Sequence, residues 1–221
     1  MTPKNRTLLI VISAIVLVGA VAGISVLLSD DEPGEPVAAE PDGPAATLPD
    51  DVQENQPVEV VGDPLPSFDR DIADPAIGTP VPVVNGQSFD GTPVSIGGND
   101  GRASLLVFLA HWCPHCNDEI PELIELENRN GIPADLDVIG ISTGVDPNGP
   151  NYPPSQWLFD RGFEWPVLAD DEDATAFLSN GGSGFPYLML VDAEGNVVSR
   201  DSGTKSAEDL ATWIQEGLGS A

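Results

Sequence analysis

An α/β sandwich, with a mixed central sheet flanked by helices and preceded by a small β-hairpin, is the fold class this sequence predicts. Three observations predict it. Residues 104–110 (SLLVFLA) are apolar without alternation, as in a strand buried on both faces. Residues 114–130 follow directly, with Ile120, Leu123, Ile124 and Leu126 at helical spacing. Residues 136–142 (LDVIGIS) then return as a second buried strand, completing a strand-helix-strand unit of the kind that builds parallel sheets.

The remaining elements follow from turn chemistry and periodicity. Short segments at 81–84 and 93–96 flank Asn85-Gly86 and Asp90-Gly91, the pairs that close tight turns, and predict the hairpin. Pro114 suits the first turn of the helix it opens, where its missing N–H would be unpaired anyway. Residues 153–161 predict a short helix, 165–168 a brief extended stretch and 172–180 a further helix. Two strands at 187–192 and 197–201 are joined by the turn sequence Ala193-Glu194-Gly195-Asn196, and residues 207–218 close as an amphipathic helix. Trp157, Trp165 and Trp213 are expected in the core. These elements define one domain over residues 75–221, and no internal repeat is present.

The N-terminal third is a different material. Lys4 and Arg6 precede residues 8–28, a run without a charged side chain that as a helix spans about 32 Å, enough for a bilayer core. With cations before it and Asp30, Asp31 and Glu32 after it, residues 1–29 read as a transmembrane signal anchor with a cytoplasmic N-terminus. A cleaved signal peptide is the competing reading, with Ala20-Val21-Ala22 as its site, although Ile24, Val26, Leu27 and Leu28 carry the apolar run past that point. Both place the domain outside the cytoplasm. Residues 30–74 hold eight prolines, many acids and no apolar periodicity, which predicts a disordered linker.

The formal net charge is −28. Residues 1–29 carry +2, residues 30–74 carry −13 and residues 75–221 carry −17, so the domain itself is acidic. Such a field repels phosphate backbones and excludes nucleic acid as a partner.

The chemistry resides in Ala110-His111-Trp112-Cys113-Pro114-His115-Cys116, where a buried strand turns into a helix. Unpaired N–H groups at a helix start favour an anionic sulfur at Cys113, and Cys116, one turn on, is placed to attack a mixed disulfide formed there. No other cysteine is present to compete.

On the Trp-Cys-x-x-Cys of residues 112–116, the Cys-x-x-Cys-x-x-Glu-x-Pro of 113–121 and Gly184-Phe185-Pro186-Tyr187 before a strand, residues 75–221 resemble the thioredoxin superfamily. Within it, they resemble the membrane-tethered TlpA/ResA-like thiol–disulfide oxidoreductases. The resemblance implies a thioredoxin-like fold and protein disulfide exchange with no bound cofactor beyond the redox-active pair Cys113–Cys116. It implies a cis bond at Pro186 beside that pair, a substrate surface around Trp112, Phe185 and Pro186, and a proton-transfer role for Glu119 near Cys116. Extracytoplasmic protein thiols and a recycling membrane redox partner are the implied partners. One position departs from the pattern: Val107 stands six residues before Cys113, where such enzymes often bury an acid, so proton handling falls to Glu119, His115 or water. Pro114-His115 is the dipeptide of DsbA-like oxidases, which sets an oxidant with His115 as its tuning residue against a reductant serving cytochrome c maturation.

Other readings are weaker. A metal clip of His111, Cys113, His115 and Cys116 has no second ligand pair from a separate segment, as structural zinc requires. A copper-delivery domain would need wider cysteine spacing, and a peroxidase would want Thr or Ser where Ala110 stands. Glu119 could be an ordinary first-turn carboxylate favoured by the helix dipole. His111 is expected as a solvated or hydrogen-bonded surface residue. A non-catalytic binding module would have no use for the intact cysteine pair.

Overall fold

The computed structural model of the chain describes residue 48 and residues 51–219. The apolar run at 8–28 and most of the first half of the expected linker lie outside the described residues. Among those described, no helix is long and apolar enough to cross a membrane.

The elements run β1 (Glu59–Val61), β2 (Val83–Gln87), β3 (Pro93–Ile96), β4 (Ala103–Leu109), α1 (Pro114–Asn128), β5 (Leu136–Ser142), α2 (Pro154–Asp160), β6 (Val167–Ala169), α3 (Thr175–Ser179), β7 (Tyr187–Val191), β8 (Val197–Ser202) and α4 (Ala207–Leu218). They form one sheet in the order β1-β2-β6-β5-β4-β7-β8, with β3 paired to β2. β4, β5 and β6 are parallel, and β7, β8, β2 and β3 run antiparallel to their neighbours. The mixed sheet and the N-terminal hairpin agree with expectation, except that Asn85 and Gly86 lie within β2 rather than in a turn.

β4 lies inside the sheet between β5 and β7, and its side chains divide by alternation between two cores. Leu105, Val107 and Leu109 face Ile120, Leu123 and Leu126 of α1, Trp157 of α2, and Leu210 and Ile214 of α4. Leu106 and Phe108 face Ile141, Phe177, Tyr187 and Met189. Burial on both faces is why the strand reads as an unbroken apolar run. Trp157 is buried as expected. Trp165 and Trp213 are only partly covered, and Trp213 Nε1 donates to Ser199 Oγ at 2.8 Å.

Helix α1 tolerates Pro121 in its interior. A proline has no N–H to give the carbonyl four residues back. That carbonyl, on Asn117, instead accepts from Arg161 at 3.5 Å. Helix α3 is shorter than the expected 172–180. Ala174 takes a left-handed conformation (φ 55°), and the buried Asp170 carboxylate accepts from Ala176 N (2.8 Å), Phe177 N (3.1 Å) and Thr143 Oγ1 (2.8 Å). Burial pushes the Asp170 carboxyl up against these hydrogen bonds.

The expectation of a disordered linker reaching residue 74 needs correction, because residues 51–74 are part of the fold. β1 pairs antiparallel with β2, Leu65 is buried, and Gln53 N donates to Phe89 O at 2.8 Å. Glu54 accepts from Ser155 N (2.9 Å) and Ser155 Oγ (2.6 Å), capping α2, whose own preceding residue is a proline. Asp74 pairs with Arg200, whose side chain is fully buried and also donates to Pro66 O (2.9 Å) and Tyr187 Oη (3.3 Å). The segment is anchored by polar contacts at intervals, which leave no apolar period to read.

Candidate active site

The chain leaves the sheet at the end of β4, and Cys113 occupies the N-cap of α1 with extended backbone geometry (φ −79°, ψ 121°). The Cys113 side chain makes no capping hydrogen bond. Pro114 at the first position has no N–H and Cys116 N donates to Cys113 O at 3.2 Å, so what the helix start offers the Cys113 sulfur is chiefly the positive end of its dipole. Cys116, one turn in, is fully enclosed, whereas Cys113 keeps 6% of its surface open. Both are thiols here. Cys113 is thus the outer sulfur and Cys116 the inner.

Each sulfur has a defined environment. Cys113 Sγ lies 3.8 Å from the Phe185 carbonyl, and the Phe185–Pro186 bond is cis as expected. Cys116 Sγ accepts from Ala110 N at 3.4 Å. Burial pushes the Cys116 thiol well above the usual range, aided by the neighbouring Cys113 and Glu119, while the Ala110 N–H opposes the rise.

Glu119 is the buried acid of the site. Its side chain is fully enclosed, Oε2 accepts from Lys205 N at 2.7 Å, and Oε1 has no hydrogen-bond partner among the described residues. Desolvation is the largest influence and pushes its carboxyl up to about 7, with Glu122 and Asp201 adding to the rise and the Lys205 N–H and ammonium opposing it. The reading of Glu119 as an ordinary first-turn carboxylate needs correction, because it is the sixth residue of α1 and is buried. Val107 is enclosed and apolar, which leaves Glu119 as the acid beside the inner sulfur.

Trp112 is partly exposed; its Nε1 donates to Gly144 O at 2.7 Å and its ring meets Phe185 edge-on at 5.6 Å. Phe185 in turn stacks on Phe177 at 4.6 Å, and Pro186 is buried beside it. The residues expected to receive a substrate are therefore grouped around the Cys113 sulfur. His115 is different. It is exposed, its backbone carbonyl accepts from Thr204 Oγ1 at 3.2 Å, and its imidazole makes no hydrogen bond among the described residues. No contact-range donor to Cys113 comes from it.

The structure corrects the expectation for His111, which is 1% exposed rather than at the surface. Its Nδ1 lies 2.7 Å from Pro150 O and its Nε2 accepts from Asp146 N at 3.1 Å. With both ring nitrogens engaged by backbone, His111 cannot also ligate a metal with the cysteines. Among the described residues no group of three or more His, Cys, Asp or Glu is arranged to hold a metal ion.

Two residues not singled out from the sequence complete the site. Asn117 Nδ2 donates to Cys113 O (2.9 Å) while its Oδ1 accepts from Trp157 Nε1 (2.9 Å) and Arg161 (2.7 Å), tying the helix start to α2. Its position four residues after Cys113 was the available signal. Lys205, which holds Glu119 through its backbone and pairs with Asp201 through its ammonium, carried none.

Comparison with known proteins agrees with this geometry. Residues 61–213 match the family model described as Redoxin. Among curated relatives, a "Thiol:disulfide interchange protein DsbE homolog" of Paracoccus denitrificans is 30% identical over 105 residues, 48% of this chain and 53% of that protein. The methylamine utilization protein MauD of Methylophilus methylotrophus is 28% identical over 147 residues, 65% of this chain and 64% of that one. This chain therefore covers less than two thirds of the length of either relative. A thioredoxin-family thiol:disulfide interchange protein from Chlorobium tepidum has a solved structure with a TM-score of 0.52 and 30% identity, matched over 66% of this chain and 100% of that one. The thioredoxin domain of a Bacteroides vulgatus oxidoreductase, at 22% identity and a TM-score of 0.52, shares the thioredoxin-like fold. Since the family match spans most of the sequence and includes both sulfurs, Glu119 and the Phe185–Pro186 segment, the chain belongs to the redoxin family.

Proposed function

We propose that this chain is an extracytoplasmic thiol–disulfide oxidoreductase, tethered through residues 1–29, that exchanges disulfides with protein partners at Cys113 and Cys116. One observation carries the reading: an outer sulfur at a helix start, facing the Phe185 carbonyl, lies above an inner sulfur whose thiol is pushed up and whose neighbour is a buried carboxyl near pH 7. Relatives named as thiol:disulfide interchange proteins support the same chemistry. The apolar run 8–28 and its flanking charges support the location, and a membrane redox partner would recycle the pair.

In the oxidising direction a partner thiolate attacks Cys113 of the Cys113–Cys116 disulfide. A mixed disulfide forms and Cys116 leaves as a thiolate. Because burial disfavours that anion, the Glu119 carboxyl, one turn further along α1, gives it a proton. The partner's second thiolate then attacks its own sulfur in the mixed disulfide, which releases Cys113. The partner's two thiols have become a disulfide and the pair has taken up the two electrons. Run backwards, Glu119 as carboxylate accepts the Cys116 proton, and Cys116 resolves the mixed disulfide. No bound cofactor enters either direction.

Cys113→Ser should abolish exchange, while Cys116→Ser should accumulate partners as mixed disulfides through Cys113, detected as reductant-sensitive adducts. Equal trapping by the two variants would overturn the assignment of roles.

A further inference from the structure

The sharpest feature that exchange chemistry leaves unused is the buried imidazole next to Trp112. We propose that His111 is a positioning residue: it latches the loop of residues 144–153 against the dithiol segment, and the loop in turn holds the Trp112 indole in place for a protein partner. The proposal rests on the exchange reading above.

A buried imidazole is costly unless both nitrogens are paired. Here Asp146 N–H donates to Nε2, so Nε2 carries the lone pair and the proton lies on Nδ1, which donates to Pro150 O at 2.7 Å. The carbonyl of His111 accepts from Asn151 Nδ2 at 2.8 Å, and the Tyr152 ring meets the imidazole edge-on at 6.0 Å. One residue thus touches the loop at four positions. The approach is close enough that a Cβ on Gly149 would stand 3.3 Å from His111 Cε1 and 3.1 Å from Trp112 Cβ.

The loop's return contact falls on the neighbouring tryptophan. Gly144 O accepts from Trp112 Nε1, and the indole then meets Phe185, whose carbonyl faces the Cys113 sulfur. Release of the latch would free the Gly144 carbonyl, and with it the indole, without touching either sulfur. A chain lying across Trp112 and Phe185 would feel that loss. A small thiol attacking Cys113 would not.

The test follows reduction of the oxidised full-length protein by two probes, unfolded reduced ribonuclease A and dithiothreitol, under single-turnover conditions in His111→Ala, His111→Gln and Asn151→Gly. Asn151→Gly loosens the latch from the loop side, and its φ of 60° suits glycine, so it decides the matter should His111→Ala fail to fold. For His111→Ala the half-saturating ribonuclease concentration should rise about fivefold, the scale of one lost hydrogen bond, with the dithiothreitol rate within about twofold. Asn151→Gly should shift the same way, and His111→Gln, which keeps a donor and an acceptor, should recover part of the loss. In nitrogen-resolved NMR spectra the imidazole should carry its proton on Nδ1, and the Trp112 indole N–H should lose protection from exchange in His111→Ala. Unchanged half-saturation in both His111→Ala and Asn151→Gly, or a proton on Nε2, would overturn the latch. A wild-type protein inert to both probes would instead refute the exchange reading, and the indole protection would still decide the latch.

Discussion

Replacing Glu119 by glutamine probes the one carboxyl whose environment the fold has altered most clearly. Its carboxyl is raised from an ordinary value of 4.5 to about 7 by burial. Below pH 4.5 the group is protonated whether the chain is folded or unfolded, and it adds no pH-dependent cost. As pH rises, the unfolded chain releases this proton first while the folded protein retains it, so stability falls by up to about 1.4 kcal/mol per pH unit until the folded group also ionises near pH 7. The full loss is roughly 3 kcal/mol at pH 8. Glutamine keeps the shape and an acceptor for Lys205 N–H, and cannot ionise. Urea unfolding of the reduced protein from pH 4 to 8 measures the effect as the stability of wild type minus variant. Asp170, also pushed up by burial, contributes equally to both and cancels. The difference should fall by about 3 kcal/mol across this range, mostly between pH 4.5 and 7. Parallel profiles, within about 0.5 kcal/mol at every pH, would refute a raised Glu119 and with it the proton transfer assigned to that residue.

Asp74→Ala leaves the Arg200 guanidinium buried without its carboxylate and should lower stability by about 3 kcal/mol in urea at pH 7. Burial raises the Asp74 carboxyl but the Arg200 hydrogen bonds and charge outweigh it and hold the group below its usual range, so the pair persists at neutral pH. The same variant should expose residues 51–74 to proteolysis, and resistance equal to wild type would contradict the anchoring role. Gly195→Ala demands a side chain at φ 84° with its Cβ 2.2 Å from Gly98 O, and should cost more than about 2 kcal/mol by thermal or urea unfolding. His115→Ala should change the potential of the cysteine pair by less than about 15 mV in a glutathione titration, because the exposed imidazole makes no hydrogen bond to Cys113. A fall of about 60 mV would restore His115 as the tuning residue.

Sequence alone determined what depends on neighbours along the chain. The unbroken apolar run of β4, the helical spacing after it and the return of β5 are local patterns, and each element appears within a few residues of its expected bounds. The two sulfurs were legible for the same reason, since a strand ending in Cys-x-x-Cys places both at a helix start. Tertiary structure decided whatever depends on which distant segment supplies the cover. Residues 51–74 carry no periodic signal, and their place in the fold rests on pairs such as Asp74 with Arg200, 126 positions apart. Glu119 and His111 are polar residues that local pattern assigns to the surface. Their burial follows from the arrival of Lys205 from the β8–α4 connection and of Asp146, Pro150 and Asn151 from the loop after β5. Desolvation acts through surrounding atoms, whatever their distance along the chain, so the altered carboxyl of Glu119 and the paired ring of His111 exist only once the chain has closed over them.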